Sequence, residues 1–293
     1  MKVSRAILMV SALLLILSPA ALASELRIAQ VADIASMDPQ KVNDVYSANV
    51  IRQVYSNLVQ VDENMQIIPD LAESWENPDN LSWVFHLRRG VAFHNGEPVT
   101  AADVKFTFDR LKDPSTAAPG ATHLKEVKSV EVIDDHTVKL VTARPYAPML
   151  MSLSRYETAI LNRKAVEEAG ADYGSKVAVG CGPYRFTSWS RGDKVILERY
   201  DEYFGGPAKI DRLVYRGIPE DATRLIELES GGIDLIPANF PYAEFVNFQD
   251  NKGFKTYTCP AMATNYLGLD VAVKPLDNKL ARQAINYAVD KQA

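Results

Sequence analysis

One stretch of the sequence, residues 209–236, constrains the fold more than any other because it predicts a β-α-β unit. Residues 213–215 are apolar and typical of a strand, and residues 222–229 follow with helical spacing. Gly231 and Gly232 come where the helix is expected to end, and residues 233–236 return to a strand-like pattern. A strand, a helix and a second strand in this order are the repeating unit of α/β folds, so the chain is predicted to be α/β.

A second informative stretch, residues 83–111, reads as a strand, a turn and a capped helix. Apolar and polar residues alternate from 81 to 87, which predicts a half-buried strand. Asn95-Gly96 predicts a turn, and Thr100 with Asp103 resembles the capping box that begins many helices. The residues expected to share the buried face of this helix are Val104, Phe108 and Leu111.

Other local patterns predict further helices and hairpins. Residues 45–62 contain a helical pattern, and residues 127–143 and 182–200 each read as a hairpin. Short helices are expected after Pro148 and within residues 162–170. Residues 254–270 read as extended and β-rich. The last pattern begins an amphipathic helix at residue 280 and carries no stop signal, so we interpret the chain as cut there.

The first 23 residues predict an export signal. Lys2 and Arg5 precede an apolar run at residues 6–17, and the sequence Ala21-Leu22-Ala23 fits the small-x-small pattern of a cleavage site. The run is short for a membrane span, so cleavage near Ala23 is expected rather than a membrane anchor. The mature protein is therefore expected to be exported and soluble.

The residues that carry chemistry in other proteins form no catalytic signature here. The net charge is −5 and no long basic block is present, which disfavours sequence-independent binding of nucleic acid. The nucleophile elbow, the P-loop and a GxGxxG after a strand are all missing, although a Ser/His/Asp triad assembled from distant positions stays open. These patterns favour binding over catalysis. The four histidines, none of them at a metal-binding spacing, are His86, His94, His123 and His136.

The sequence contains two cysteines, Cys181 and Cys259. In an oxidising compartment they can form one disulfide, or they can remain two buried free thiols, and the sequence leaves both alternatives open. Because no CxxC motif is present, nothing in the sequence supports thiol redox chemistry or a thiolate zinc site.

Residues 71–111, LAESWENPDNLSWVFHLRRGVAFHNGEPVTAADVKFTFDRL, closely resemble the signature region of the family 5 solute-binding proteins, the extracytoplasmic receptors of peptide and nickel ABC transporters. Further blocks that resemble this family follow in the family's order: SMDPQ at 36–40, VGCGPYRF at 179–186, YDEYFGGPAKIDRLVYR at 200–216, LESGGIDLI at 228–236 and PLDNKLARQAINYAVDKQA at 275–293. The chain departs from the family's VGTGPY at Cys181, which replaces a Thr.

The resemblance implies a periplasmic binding protein-like fold of class II type, in which two lobes close on a ligand and an α+β subdomain is inserted in the first lobe. The expected divisions are a signal peptide at 1–23, the first lobe at 24–45 and 165–262, the inserted subdomain at 46–164, and the start of a second lobe at 263–293. Most of the second lobe is then missing from this chain. The histidines of residues 83–111 are expected to belong to packing and not to an active site.

The resemblance also implies a function. The protein is expected to be a periplasmic monomer, not an enzyme, that captures a peptide or related small solute without cofactor, metal or nucleic acid. It would deliver the solute to an ABC permease and ATPase complex; the alternatives are a binding module for signalling and a secreted hydrolase. The departure at Cys181 is compatible with a disulfide to Cys259. By position, ligand contacts are expected from Asn43, Asp44, Val45, Asn239, Thr264, Asn265 and Tyr266.

Overall fold

The computed structural model describes residues 23–237, 240–258 and 266–290, so all but the last residue of the predicted signal peptide lie outside the described residues. Two compact units are present, one up to Pro241 and one from Tyr242 onward. None of the described helices is long and apolar enough to cross a membrane.

The described elements alternate between strands and helices along the chain. The strands are β1 (Glu25–Gln30), β2 (Val59–Val61), β3 (Ile67–Pro69), β4 (Ala72–Glu76), β5 (Ser82–Leu87), β6 (Val127–Asp134), β7 (Thr137–Thr142), β8 (Tyr184–Ser190), β9 (Lys194–Arg199) and β10 (Arg212–Gly217). The helices are α1 (Val45–Val54), α2 (Ala101–Lys112), α3 (Met149–Leu153), α4 (Arg163–Ala169), α5 (Asp221–Glu229), α6 (Tyr242–Asp250) and α7 (Lys279–Ala288).

The first unit contains a four-stranded sheet in the order β1-β10-β9-β8, which we call the lobe sheet. β1 and β10 run parallel, from the pair Glu25 and Arg212 to the pair Gln30 and Gly217. The pairs β10–β9 and β9–β8 are antiparallel, which confirms the predicted 182–200 hairpin. The β-α-β unit is confirmed in part, because β10 and α5 form as predicted.

The second strand of the β-α-β unit is shorter than predicted. Residues 233–236 were expected to form a strand, but their pairing with β1 is a single parallel bridge between Leu235 and Ile28, beside one further backbone hydrogen bond from Asp234 to Arg27. The preceding residues are used to end α5, since the backbone N–H groups of Gly232 and Ile233 both donate to the carbonyl of Glu227. Closing the helix in this way leaves little chain for strand pairing.

A second sheet of the first unit has the strand order β4-β5-β7-β6, with all neighbours antiparallel. It contains the strand predicted at 81–87 and the hairpin predicted at 127–143, and α2 packs on it. The Asp103 carboxylate accepts hydrogen bonds from the backbone N–H and the hydroxyl of Thr100 at the start of α2. The face predicted for α2 is buried, with Val104, Phe108 and Leu111 all fully inaccessible.

The first unit has two main hydrophobic cores. One lies between α2 and the second sheet and includes Phe85 and Leu140. The other lies beside the lobe sheet and includes Ile28, Leu197 and the buried face of α1, so α1 packs with the lobe sheet although most of it falls within the predicted 46–164 segment. The division of the chain into lobes and an inserted subdomain stays a prediction.

The second unit consists of α6, α7 and irregular segments. Phe248 of α6 contacts Phe254, with ring centroids 4.8 Å apart. The β-rich interpretation of residues 254–270 is wrong for residues 254–258 and 266–270, which contain no strand; the residues between them lie outside the described part. α7 forms as predicted, but Leu280 and Tyr287 on it are 71% and 90% exposed.

Candidate functional site

The carboxyl ends of β1 and β10 define one edge of the lobe sheet. Because the two strands are parallel, the loops that follow them, residues 31–38 and 218–220, leave the sheet at this edge. The turn of the β8–β9 hairpin lies there as well, since Lys194 at the start of β9 is paired with Arg216 near the end of β10. In open α/β sheets this edge is where ligands bind.

Asp33 holds the loop after β1 against the hairpin turn. Its carboxylate accepts hydrogen bonds from Trp189 Nε1, at 3.1 Å to each oxygen, and from the Gly192 backbone N–H at 2.8 Å. A Cβ at Gly217, the last residue of β10, would lie 2.6 Å from the Asp33 nitrogen, so the loop crosses the strand end too closely for any side chain there. The three segments of this edge are therefore fixed to one another.

A buried ion pair fixes the other end of the same loop. Asp38 caps a short 3-10 turn by accepting from the backbone N–H of Gln40, and its carboxylate also pairs with Arg110 of α2 at 2.7 Å. The Asp38 side chain is only 3% exposed, and Arg110 additionally donates to the Gln40 side chain at 2.7 Å. A buried carboxylate needs such partners, because an unpaired charge in the interior is strongly unfavourable.

The predicted ligand contacts at the start of α1 lie in two different environments. Asp44 is the N-cap of α1, and its carboxylate accepts from the backbone N–H and the hydroxyl of Ser47, both at 2.8 Å. Asn43 is exposed, and Val45 is 49% exposed. Asp44 thus has a structural role, and ligand contact by these three residues stays a prediction.

The other predicted contacts are mostly beyond the described residues. Asn239, Thr264 and Asn265 lie outside them, and Tyr266 is described with an 86% exposed side chain. The assembly of the seven predicted residues into one site therefore stays a prediction.

The VGCGPY segment packs across the end of α1. A Cβ at Gly180 would lie 2.0 Å from the Val54 carbonyl oxygen, and one at Gly182 would lie 2.8 Å from the Gln53 oxygen. The Gly182 N–H donates to Val54 O at 2.9 Å. Cys181 between them is a fully buried thiol whose pKa is raised by burial. Its predicted partner Cys259 lies outside the described residues, so the disulfide stays a prediction.

His94 contributes to this packing. Its Nε2 donates to the Gly182 carbonyl at 2.9 Å, and its ring meets Tyr200 edge-on with centroids 4.9 Å apart. Burial lowers the pKa of His94 to about 4, so the ring is neutral at physiological pH. Within residues 23–237, 240–258 and 266–290, no group of three or more His, Cys, Asp or Glu side chains is placed to hold a metal ion.

Asp33 and Trp189 were missed by the sequence interpretation. One signal was available for Asp33, because an acid stands in the loop directly after the first predicted strand, at the edge where α/β proteins bind ligands. Trp189 carried no such signal, since its contact with Asp33 spans 156 positions of the chain.

The carboxyl edge of a parallel strand pair, from which its loops emerge, is where α/β proteins bind small ligands. The sequence model of the bacterial extracellular solute-binding proteins, family 5 (Middle), matches residues 66–293. This chain belongs to that family.

Individual relatives extend the similarity to nearly the whole chain. The glutathione-binding protein GsiB of Salmonella choleraesuis (strain SC-B67) is 30% identical over 277 residues, which cover 94% of this chain and 54% of GsiB. MoaA of A. tumefacien R10, solved in complex with mannopinic acid, is 28% identical with a TM-score of 0.83. The match covers 92% of this chain and 56% of the MoaA chain.

DppA of Helicobacter pylori, an ABC transporter-associated periplasmic binding protein solved in complex with the peptide STSA, is 30% identical. Its TM-score is 0.77, and the match covers 92% of this chain and 57% of DppA. The chain spans about half the length of the curated relatives that it matches.

Proposed function

We propose that this protein is the solute-binding component of an ABC transporter. It captures a peptide or a related small solute outside the cytoplasm and delivers it to a membrane permease with its ATPase subunits. The observation that carries the proposal is the family match over residues 66–293. The fixed loops at the carboxyl edge of the lobe sheet support it, because a wall that is already ordered loses little entropy when a ligand binds.

The relatives suggest the chemical class of the solute. GsiB is described as glutathione-binding, MoaA was solved with mannopinic acid, and DppA was solved with a peptide. All three ligands are small, polar molecules that carry carboxylates. We propose a solute of this class for this protein, bound with the loop after β1 as one wall.

The proposal includes the location and the mode of action. The protein is exported through the signal at residues 1–23, cleaved near Ala23, and acts in the periplasm as a monomer. A ligand stabilises the closed arrangement of its two lobes by making more contacts there than in the open one. It performs no catalysis of its own, so the peptide is released intact.

The proposal is tested by thermal unfolding of the whole protein, purified from the periplasm, with and without candidate solutes. Glutathione, the peptide STSA, mannopinic acid and the nickel complex of histidine are each added in excess. A ligand that binds only the folded state raises the Tm, and a concentration of 100 times the Kd stabilises by about 2.7 kcal/mol. A selective rise with one class supports the proposal, and mass spectrometry of the recovered peptide reports any hydrolysis. An unchanged Tm with all four would contradict it.

A further inference from the structure

Arg191 occupies a distinctive place at the tip of the β8–β9 hairpin. Its guanidinium carbon lies 4.3 Å from the centroid of the Trp189 ring, a distance at which the face of an indole attracts a cation. This stacking restrains a side chain that would otherwise be free to move, since Arg191 itself is exposed.

The ring under Arg191 is itself held in place. Trp189 Nε1 donates to both oxygens of Asp33, and Gly192, the residue after Arg191, donates its backbone N–H to the same carboxylate. Gly192 has a φ of +74°, a conformation that a glycine adopts without strain, so the tight turn presents Arg191 at a defined position. The guanidinium is thus preorganised at the carboxyl edge of the lobe sheet.

Arg191 differs from most of the arginines of this sheet in its charge partners, and it shares the lack of a carboxylate partner among the described residues with Arg185 of β8. Among the described residues, no carboxylate forms an ion pair with Arg191, and its neighbour Asp193 pairs with Lys194 at 3.7 Å. Asp33 is engaged by N–H donors. The arginines of the sheet that do pair with carboxylates are Arg27 with Asp234, Arg199 with Asp201 and Asp211, Arg212 with Glu25, and Arg216 with Glu227.

We propose that Arg191 is a recognition residue that binds a carboxylate of the captured solute. The inference rests on the proposed function and deepens it, because it assigns a chemical group of the ligand to a residue of this chain. A guanidinium offers parallel N–H donors that match the two oxygens of a carboxylate, and the stack on Trp189 removes much of the entropy cost of holding it. The ligands found with the relatives above all carry such a group.

The test measures binding to the whole periplasmic protein by isothermal titration calorimetry. Two pairs of probes are used, and each compares a free acid with a form whose carboxylates are blocked. The first pair is the peptide STSA and its C-terminal amide, and the second is glutathione and its dimethyl ester. For whichever of STSA and glutathione the wild-type protein binds, Arg191→Ala is expected to weaken binding of the free acid about tenfold, because a hydrogen-bonded charge is lost. Binding of the amide or ester is expected to change less than about twofold. Arg191→Lys, which keeps the charge but not the planar fork, is expected to lose an intermediate amount.

A matched control is available on the same hairpin. Arg185 stacks over Tyr200 at 5.4 Å, but it lies at the beginning of β8, six residues along the strand from Arg191 and about 20 Å away. Arg185→Ala removes a similar stacked guanidinium and is expected to leave both affinities unchanged.

The outcomes separate this inference from the proposed function. If Arg191→Ala weakens the acid and the blocked form equally, or weakens neither, Arg191 does not recognise a carboxylate and the inference is overturned. The same conclusion follows if the wild-type protein binds the blocked form as tightly as the acid. If the wild-type protein binds neither STSA nor glutathione, the assignment of Arg191 to their carboxylates is overturned, and the proposed function fails as well only when mannopinic acid and the nickel complex of histidine also leave the Tm unchanged.

Discussion

At the scale of single residues, Asp70 shows how a buried carboxyl group makes stability depend on pH. It is only 6% exposed, and its carboxylate accepts a hydrogen bond from the backbone N–H of Asn57 at 2.7 Å. Burial raises the pKa of Asp70 from 3.8 to about 6, although this hydrogen bond and the nearby Arg88 oppose the rise. A raised pKa means that the folded state binds this proton more tightly than the unfolded chain does.

The sign of the pH dependence follows. The stabilisation from protonated Asp70 is fully present below about pH 4 and is lost as the pH rises through about 6. Asp70→Asn keeps an acceptor for Asn57 but never ionises. We therefore expect the variant to gain stability over the wild type between pH 4 and pH 7, by up to about 3 kcal/mol. Urea unfolding at several pH values measures the difference in free energy.

Asp79 provides the control for this experiment. It is exposed, and N–H donors from Leu81 and Ser82 lower the pKa of its carboxyl group. The stabilisation from ionised Asp79 is therefore present above the ordinary pKa of an aspartate and is lost as the pH falls. Asp79→Asn is thus expected to lower the free energy of unfolding between pH 4 and pH 7, where Asp70→Asn raises it. A stability difference for Asp70→Asn that is constant from pH 4 to pH 7 would show that the Asp70 carboxyl group is not perturbed.

Gly180 of the VGCGPY segment allows a prediction about close packing. Gly180→Ala would place a methyl group 2.0 Å from the Val54 carbonyl oxygen, and the backbone there has little room to move. We expect a loss of about 3 kcal/mol in the free energy of unfolding, at the upper end of the usual cost of overpacking. Gly90→Ala is the comparison, since a Cβ at Gly90 meets nothing within 4 Å and costs only its positive φ. Equal losses in the two variants would contradict the close approach.

At the scale of elements, the local patterns in the sequence predicted most of the structure correctly. α2, β5 and the two hairpins were predicted because each depends on neighbours a few residues apart, which set both the periodicity and the turn. The errors occurred where contacts between residues distant in the sequence determine the secondary structure. Residues 233–236 look strand-like, yet the backbone of Gly232 and Ile233 closes α5, and only Asp234 and Leu235 hydrogen-bond to the backbone of β1.

The start of α1 lets a structural role be separated from a ligand contact. Asp44→Ala removes the N-cap hydrogen bonds to Ser47 and is expected to cost about 1 kcal/mol of stability. Asp44→Asn retains a capping oxygen and is expected to preserve stability within a few tenths of a kcal/mol. If Asp44 also contacts a ligand through its charge, Asp44→Asn lowers the affinity without lowering the Tm. An Asp44→Asn variant as unstable as Asp44→Ala would rule out that separation.

At the scale of the whole molecule, the family resemblance predicted the tertiary fold, which the periodicity of apolar residues alone did not. The fold class and the family are confirmed, and residues distant in the chain were placed in one fold by matching blocks. The candidate site was predicted less well. The contact of Asp33 with Trp189 depends on how the hairpin turn meets the β1 loop, and no short-range pattern encodes that meeting.

The exposed face of α7 predicts how a chain of residues 24–293 behaves when it is produced alone. Leu280 and Tyr287 are one heptad apart and mostly exposed, and exposed apolar patches promote association. We expect dye binding and self-association, both reduced by Leu280→Ser with Tyr287→Ser and unchanged by Lys279→Ser on the same helix. Size-exclusion chromatography and ANS fluorescence measure these effects. A monomer that melts reversibly and cooperatively would contradict the expectation.

The parallel pairing of β1 with β10 also has a consequence for the time course of synthesis. Ser24, just before β1, hydrogen-bonds to Asp211 across 187 positions of the chain, so the lobe sheet is incomplete until its last described strand has left the ribosome. Sheets that depend on such distant pairing form slowly, because the entropy of closing a long loop is lost before the stabilising contacts between the strands form. A nascent chain of this design therefore has no complete lobe sheet until residues 212–217 have been synthesised, and under the export proposed above this delay leaves time for translocation before the sheet forms.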